Sequence, residues 1–293
     1  MNLPDNMYKV WTIKSILDWT SNHFAKKNIS SPRLNAELIL SNVLKCPRID
    51  LYLKYNQILQ ENKLSKIREL IKKRATHYPL QYLLGETEFY GHRFFVDENV
   101  LIPRPETEIL VDKLIEYIKN NKVANILEIG TGTGIISITI SLYFRDKGTN
   151  FQITATDISD DALQNAKKNI IYHNITNINL VRSNLFDSVK GKYDLIFSNP
   201  PYISEQDLRI LDKEITEFEP HIALIGGIVG TEYYQNILLS ASQYINGHSK
   251  IFFEIGSEQS KALKHIAKNA GFRIIDIFKD YNSKDRVALL EKI

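Results

Sequence analysis

In the stretch Asn125-Ile126-Leu127-Glu128-Ile129-Gly130-Thr131-Gly132-Thr133-Gly134, an apolar run ends in three glycines at alternate positions. The short run predicts a buried strand over Asn125–Ile129, and the apolar residues after it predict a helix over Gly134–Phe144. A chain that leaves a strand and enters a helix within a few residues must turn sharply and pass close to any ligand there, which glycine does without steric cost. Outward from this loop, strands and helices alternate. Strands are expected at Gln152–Asp157, Ile178–Arg182, Tyr193–Ser198 and Lys250–Ile255, and helices over Ser159–His173, Thr231–Ile245 and Gln259–Ala270. Ala162, Leu163, Ala166 and Ile170 mark one apolar face of the first of these helices. Arg273–Lys279 and Arg286–Glu291, joined by a short loop, read as a closing antiparallel pair. The expected architecture is α/β: a mostly parallel sheet with helices on both faces and an antiparallel last strand.

The glycine loop also speaks to ligand class. Asp157 ends the next strand, where a carboxylate can take both ribose hydroxyls across the carboxyl edge of the sheet. A dinucleotide fingerprint is G-x-G-x-x-G, whereas Gly130, Gly132 and Gly134 give G-x-G-x-G, with Thr131 and Thr133 between them. Glu128 would repel a pyrophosphate and suits a cationic methionine moiety. Both details favour S-adenosylmethionine over NAD. Asn184 and Leu185 follow the next strand, placed for a polar contact to adenine and an apolar cover of its face; an ordinary loop accounts for that spacing nearly as well.

A second signature, Ser198-Asn199-Pro200-Pro201-Tyr202, ends the strand Tyr193–Ser198. A planar NH2 group, in an amide or an aromatic amine, has two N–H donors and a lone pair delocalised into the π system. A site that methylates it should accept both hydrogens and leave the lone pair facing the methyl donor. The Asn199 side-chain oxygen is one acceptor and the Pro200 carbonyl a second; Pro200 and Pro201 stiffen the backbone that carries them. Tyr202 can lie flat on the planar group. Transfer then proceeds mainly by positioning, without a strong general base. No rival constellation is present: the histidines lack metal-ligand spacing, and there is neither a G-x-S-x-G elbow nor a P-loop lysine.

The 293 residues are 43% hydrophobic and 24% charged, which excludes a disordered chain and a disulfide scaffold. The single cysteine, Cys46, forms no intrachain disulfide, fits a reducing cytosol and reads as a small buried apolar residue. The most apolar stretch, Ile126 to Phe144, is broken by Glu128, glycines, Thr and Ser, so no membrane span is expected. The N-terminus shows no basic region followed by an apolar run, so no secretory signal is read there and a cytoplasmic protein is expected. Residues 1–88 carry 14 Lys and Arg against 8 Asp and Glu, while the remainder carries 23 against 26. A basic head on a mildly acidic body suggests two parts with different tasks. The head reads as helical. Ser31 is placed to cap and Pro32 to open a helix with Leu34, Leu38, Leu40 and Leu44 at helical spacing, and Leu64, Ile67, Leu70, Ile71 and Ala75 repeat the pattern. Residues 88–96 and 100–102 are strand-like around a turn at Asp97-Glu98-Asn99, which predicts a hairpin between the two parts. The boundaries expected are 1–87 for the helical domain, 88–104 for the hairpin hinge and 105–293 for the α/β domain.

Three stretches resemble one family over nearly the whole chain: Ser31-Pro32-Arg33-Leu34-Asn35-Ala36-Glu37; Pro79 to Glu86 with Glu88-Phe89-Tyr90-Gly91; and Ile102-Pro103-Arg104-Pro105-Glu106-Thr107-Glu108. With Gly130–Gly134, Asp157 and Asn199–Tyr202, the sequence is similar to the HemK/PrmC family of protein-glutamine N5-methyltransferases. That resemblance implies a class I, Rossmann-like methyltransferase domain behind a small helical substrate-docking domain. It implies methylation of the glutamine in the Gly-Gly-Gln motif of class-1 peptide chain release factors, which modulates translation termination, with S-adenosyl-L-homocysteine as the second product. It also implies that Gly130 to Gly134 and Asp157 hold the cofactor with Asn199, that Asn184 and Leu185 border adenine, and that Asn199, Pro200, Pro201 and Tyr202 hold the amide. Arg104 and Glu106 would shape the wall near the methionine end and the substrate. Asn35 and Asn184 stand where the family commonly has Asp. Gly226-Gly227, with Gly230 and Tyr233, reads as a structural turn into a helix. A monomer is expected, with no direct nucleic-acid partner and no membrane. The alternatives are a ribosomal-protein glutamine methyltransferase, an adenine-N6 nucleic-acid methyltransferase, and a non-catalytic module that binds release factors. Against the nucleic-acid reading, the net charge is only +3.

Overall fold

The structure, a computed structural model, describes residues 10–293. Residues 1–9, most of the segment read for a secretory signal, lie outside the described residues. The chain divides into two compact units between Gly85 and Glu86.

The first unit is helical: α1 (Ile13–Lys26), α2 (Pro32–Leu44), α3 (Arg48–Leu53), α4 (Glu61–Arg74) and α5 (Leu80–Leu84). A capping box opens α1: the Ser15 amide donates to Thr12 Oγ1 at 3.2 Å and the Thr12 amide to Ser15 Oγ at 2.8 Å. Ile16, Leu17 and Phe24 of α1 pack with Ile39, Leu40 and Val43 of α2 and with Leu64, Ile67 and Ile71 of α4. Pro32 does open α2, but Ser31 does not cap it. Ser31 is left-handed (φ 47°), which turns its hydroxyl away from the first amides, and Asn35 Nδ2 instead donates to the Ser30 and Ser31 carbonyls at 2.9 and 3.1 Å. Leu34, expected on the apolar face, is exposed because the buried stripe runs through Ala36, Ile39, Leu40 and Val43. Cys46 is half-buried beside this core, and burial pushes its thiol pKa up.

The second unit opens with a hairpin, β1 (Glu86–Phe89) and β2 (His92–Phe95). Its turn is Tyr90-Gly91 rather than the expected Asp97-Glu98-Asn99, and 100–102 is not a strand. Tyr90 (φ 52°) and Gly91 (φ 73°) both take the left-handed region that a two-residue turn between right-twisted strands needs. α6 (Thr107–Asn120) follows, then β3 (Asn125–Ile129), α7 (Ile135–Phe144), β4 (Gln152–Asp157), α8 (Asp160–Tyr172), β5 (Ile178–Arg182) and β6 (Tyr193–Ser198). An excursion comes next, comprising β7 (Ile203–Ser204), α9 (Glu205–Leu208), α10 (Lys213–Thr216) and β8 (Ile225–Gly227). The chain closes with α11 (Glu232–Ala241), β9 (Ile245–Glu254), α12 (Ser260–Asn269), β10 (Phe272–Lys279) and β11 (Asp285–Lys292). α11 ends before the expected Ile245, which instead begins the ten-residue β9.

Seven strands form one sheet in the order β10-β11-β9-β6-β3-β4-β5; β9, β6, β3, β4 and β5 are parallel, and β11 runs antiparallel to both neighbours. Alternation along the strands builds a core on each face. Ile126, Leu195 and Phe252 face α6 and α7, while Leu127, Ile196 and Phe253 face α11 and α12. The chain runs β3, β4, β5 toward one edge and then returns to place β6 on the other side of β3. Ligands bind at such a reversal, outside the carboxyl ends of the strands. Asn169 of α8, fully buried, fastens the hairpin here: Oδ1 accepts from the Phe95 amide (2.7 Å), and Nδ2 donates to the Phe95 and Thr133 carbonyls (both 3.0 Å).

Candidate active site

The glycine loop lies at that reversal. Its first amides, Gly130 and Thr131, donate to the Thr156 carbonyl at 2.9 and 2.8 Å, which ties the loop to β4. Gly134 admits no side chain cheaply: its φ is +76°, and a Cβ would stand 3.1 Å from Ile138 Cδ1 and 3.3 Å from Ala166 Cβ, where α7 and α8 approach. Asp157 does more than end β4. Its Oδ2 accepts from the Gly132 amide at 2.8 Å and its Oδ1 from the Ser159 amide at 3.0 Å, so it braces the loop while each oxygen keeps a further lone pair. Burial raises its pKa against these bonds.

Glu128 is fully buried at the carboxyl end of β3 and accepts from Thr131 Oγ1 (2.7 Å) and from the Ser137 hydroxyl. Burial lifts its pKa from 4.5 to about 7, with those two donors pulling the other way. A carboxyl that binds its proton more tightly when folded contributes most below its unfolded pKa, and that contribution is lost as the pH rises through the folded value. Between about pH 4 and pH 8, wild type is therefore expected to lose on the order of 3 kcal/mol of stability relative to Glu128→Gln. Paired denaturation curves across that range measure it. Curves that stay parallel would mean Glu128 titrates normally.

Asn184 and Leu185 follow β5 in a tight turn. The Ser183 amide donates to the Asp157 carbonyl (2.9 Å), Ser183 Oγ donates to the Leu185 carbonyl (2.9 Å), and Leu185 is left-handed (φ 49°).

At the end of β6, Ser198 Oγ donates to the Ile129 carbonyl at 2.6 Å, locking the NPPY turn to β3. Asn199 Nδ2 donates to Thr107 Oγ1 at 3.4 Å, and among the described residues the Asn199 side-chain oxygen accepts no hydrogen bond. Pro200 is buried. Tyr202, expected to lie flat on a planar group, packs against the core on the α11 side; its hydroxyl donates to Glu254 Oε1 at 3.2 Å and its carbonyl accepts from Gln259 Nε2 at 2.8 Å. Burial, with Glu254 adding to it, raises its phenol pKa. β8 packs beneath the turn: a Cβ on Gly226 would fall 2.6 Å from the Pro201 carbonyl oxygen and 2.8 Å from Tyr202 Cα. Arg104 donates to Glu219 Oε1 at 2.5 Å, and Glu219 Oε2 accepts from the Ile102 amide at 3.2 Å, so the excursion after β6 holds the Pro-Arg-Pro stretch.

One cavity gathers Arg104, Gly130, Thr131, Gly132, Thr133, Asp157, Asn184, Leu185, Asn199 and Pro201. Gly134, Pro200, Tyr202 and Glu106 do not line it. The sequence reading passed over Val100, Pro103, Thr107, Ile158 and Ile222 as lining residues, and gave Tyr233 only a structural part. Ile158, an apolar residue directly after the acidic strand end, carried a local signal; Thr107 and Ile222 carried none. Among the described residues no group of His, Cys, Asp and Glu is placed to hold a metal ion, and no helix is long and apolar enough to cross a membrane.

Residues 15–85 match the family model described as the PrmC N-terminal domain, and residues 106–223 match the methyltransferase small domain. A protein of Chlorobaculum tepidum named release factor glutamine methyltransferase is 36% identical over 289 residues, covering 95% of this chain and 96% of that one. One of the same name from Fusobacterium nucleatum is 39% identical over 273 residues, covering 92% of this chain and 76% of that one. Among solved structures, the hMettl16 catalytic domain in complex with MAT2A 3'UTR hairpin 6 superposes with a TM-score of 0.55 at 15% identity, over 81% of this chain and 84% of that one, a likeness of fold alone.

Proposed function

This chain belongs to the release factor glutamine methyltransferase family, and from that premise we propose that it transfers a methyl group from S-adenosylmethionine to the side-chain amide nitrogen of the glutamine in the Gly-Gly-Gln motif of class-1 peptide chain release factors. The observation that carries the reading is Asn199. Its side chain lines the cavity formed by the glycine loop and Asp157, with an oxygen that accepts no bond among the described residues.

The residues present fit the cofactor. Asp157 places a carboxyl group at the loop end of the cavity, with Glu128 buried behind the loop, and Arg104 is committed to Glu219. That suits a sulfonium and a neutral ribose rather than a pyrophosphate. Gly130 to Gly134 would follow the methionine moiety, Asp157 would take ribose hydroxyls with its remaining lone pairs, and Asn184 and Leu185 would border adenine. When bound, the cofactor supplies an electrophilic methyl group.

The chain's own work is to hold the amide. Asn199 Oδ1, at the cavity wall, accepts one of its N–H bonds; the Pro200 carbonyl, carried by the buried residue next to that wall, is the acceptor offered to the other, which would leave the nitrogen lone pair facing the cavity. The prolines and the Ser198 anchor keep those acceptors fixed. As the nitrogen–methyl bond forms and the sulfur–methyl bond breaks, the amide nitrogen becomes more acidic and releases its proton to solvent. The basic helical unit is the part of the chain available to grip the rest of a large protein substrate. A translation substrate fits a cytoplasmic enzyme.

The test is methyl transfer from labelled S-adenosylmethionine to a purified release factor, beside the same factor with its Gly-Gly-Gln glutamine replaced. Label on the first alone is expected. Label on neither factor, with label on a ribosomal protein or an oligonucleotide, would leave the chemistry standing and overturn the substrate.

A further inference from the structure

The sequence repeats a short pattern: Leu127-Glu128-Ile129-Gly130 and Phe253-Glu254-Ile255-Gly256 each place a glutamate near the carboxyl end of an apolar strand. The first underlies the glycine loop. The second, Glu254, is fully buried behind the NPPY turn. Its Oε1 accepts from the Tyr202 hydroxyl at 3.2 Å, while its Oε2 is buried without a partner in bonding geometry among the described residues. The Thr107 hydroxyl faces it closely enough to favour its charged form. Thr107 Oγ1 also accepts from Asn199 Nδ2. Glu254 therefore backs the NPPY turn at two points: directly at Tyr202, which packs away from the cavity, and through Thr107 at Asn199, whose side chain the proposed reaction uses.

The chemistry of these groups fixes a direction. A carboxylate only accepts. If Thr107 gives its proton to Glu254, its oxygen has only lone pairs left, and the Asn199 end that faces it must be the NH2. The two ends of an asparagine amide have nearly the same shape, so packing alone does not choose between them. We propose that Glu254 is a positioning residue that sets the polarity of the Asn199 amide through Thr107, so that oxygen rather than NH2 faces the substrate nitrogen. The inference rests on the glutamine-amide reading above. With the polarity reversed, two NH2 groups would oppose each other across the site.

Glu254 holds its proton to about pH 7 because burial outweighs the opposing groups. Facing it are Glu106 and Thr107 at the start of α6, Tyr202 after β6, Tyr234 of α11 and Arg286 of β11, the last paired with Asp280 at 3.2 Å. Glu106 raises the pKa; Thr107, Tyr202 and Arg286 lower it. A protonated Glu254 can donate to Thr107 and undo the arrangement.

The experiment compares wild type, E254Q, T107V and T107S for methyl transfer to the release factor, with S-adenosylhomocysteine affinity measured on each. E254Q keeps the shape but offers a donor. T107V keeps the shape but breaks the relay, and T107S keeps the hydroxyl. E254Q and T107V are expected to lower kcat about 10- to 100-fold, the range seen when groups behind a first layer of ligands are removed. KM for the factor and S-adenosylhomocysteine affinity should change little, and T107S should recover most of the rate. Wild-type kcat should rise with pH through about 7, and E254Q should lose that limb. Wild-type rates in E254Q and T107V would overturn the polarity relay, as would a T107S as slow as T107V. A wild-type enzyme that labels no release factor would instead overturn the substrate reading.

Discussion

Replacing Asn199 by Ala is expected to lower the rate of methyl transfer to a release factor about 10²- to 10³-fold, the effect of removing one preorganised polar contact from a reacting centre. The change should fall on kcat. The turn does not depend on this side chain: Ser198 is tied to Ile129 on one side, Pro200 is buried on the other, and Gln259 holds the Tyr202 carbonyl. The cofactor loop, braced by Thr156 and Asp157, should be untouched, so S-adenosylhomocysteine affinity should change little. Titration calorimetry beside single-turnover rates separates the two quantities. An equal loss of cofactor affinity and rate would mean the turn had collapsed, and an unchanged rate would remove Asn199 from the chemistry.

The second large effect is expected at Gly226, a residue with no reactive group. A methyl group there would lie 2.6 Å from the Pro201 oxygen, 2.8 Å from the Gly230 oxygen and 2.8 Å from Tyr202 Cα. All three are backbone atoms, so no flexible side chain can yield, and β8 or the NPPY turn must move. Overpacking of this kind costs about 1–3 kcal/mol, and a shift of about 1 Å in a positioned group can cost about 100-fold in rate. Gly226→Ala should therefore lose about two orders of magnitude in kcat/KM and lower the melting temperature by several degrees. Gly247→Ala is the matched control, because a Cβ there meets nothing within 4 Å. Full activity in Gly226→Ala would show that the strand gives way without moving the turn.

What was readable in the sequence divides along a physical line. The central strands, from Asn125–Ile129 to Tyr193–Ser198, stand where the apolar runs placed them, because a buried parallel strand writes itself as a local run between breakers. The glycine loop, Asp157 and the NPPY turn were legible for the same reason. The hairpin was misread at its turn because Tyr90 looks like a strand residue, and only its partner glycine marks the left-handed pair. Ser31 has a capping side chain but the wrong backbone conformation to use it. The supporting groups were invisible. Thr107 lies 92 residues from the Asn199 it meets, and Glu254 lies 52 from Tyr202, so no local pattern relates them. Glu254 did carry one overlooked signal, a charged residue at the end of an apolar strand directly before Ile-Gly, as at Glu128.

β11 touches nothing in the cavity, yet it lies between β10 and β9, and β9 carries Glu254. On the ribosome the chain emerges from its N-terminus, so the glycine loop and the NPPY turn leave the tunnel long before Asp285–Lys292 does. Until then β9 has an open edge, its terminal glutamate lacks Val287 as strand partner and Arg286 as neighbour, and the support behind the turn is unfinished. The last-made pairing of the sheet, β11 on β9, thus times the completion of that support. A protein that acts on the machinery of translation has the backing of its own site finished only after β11 has been made.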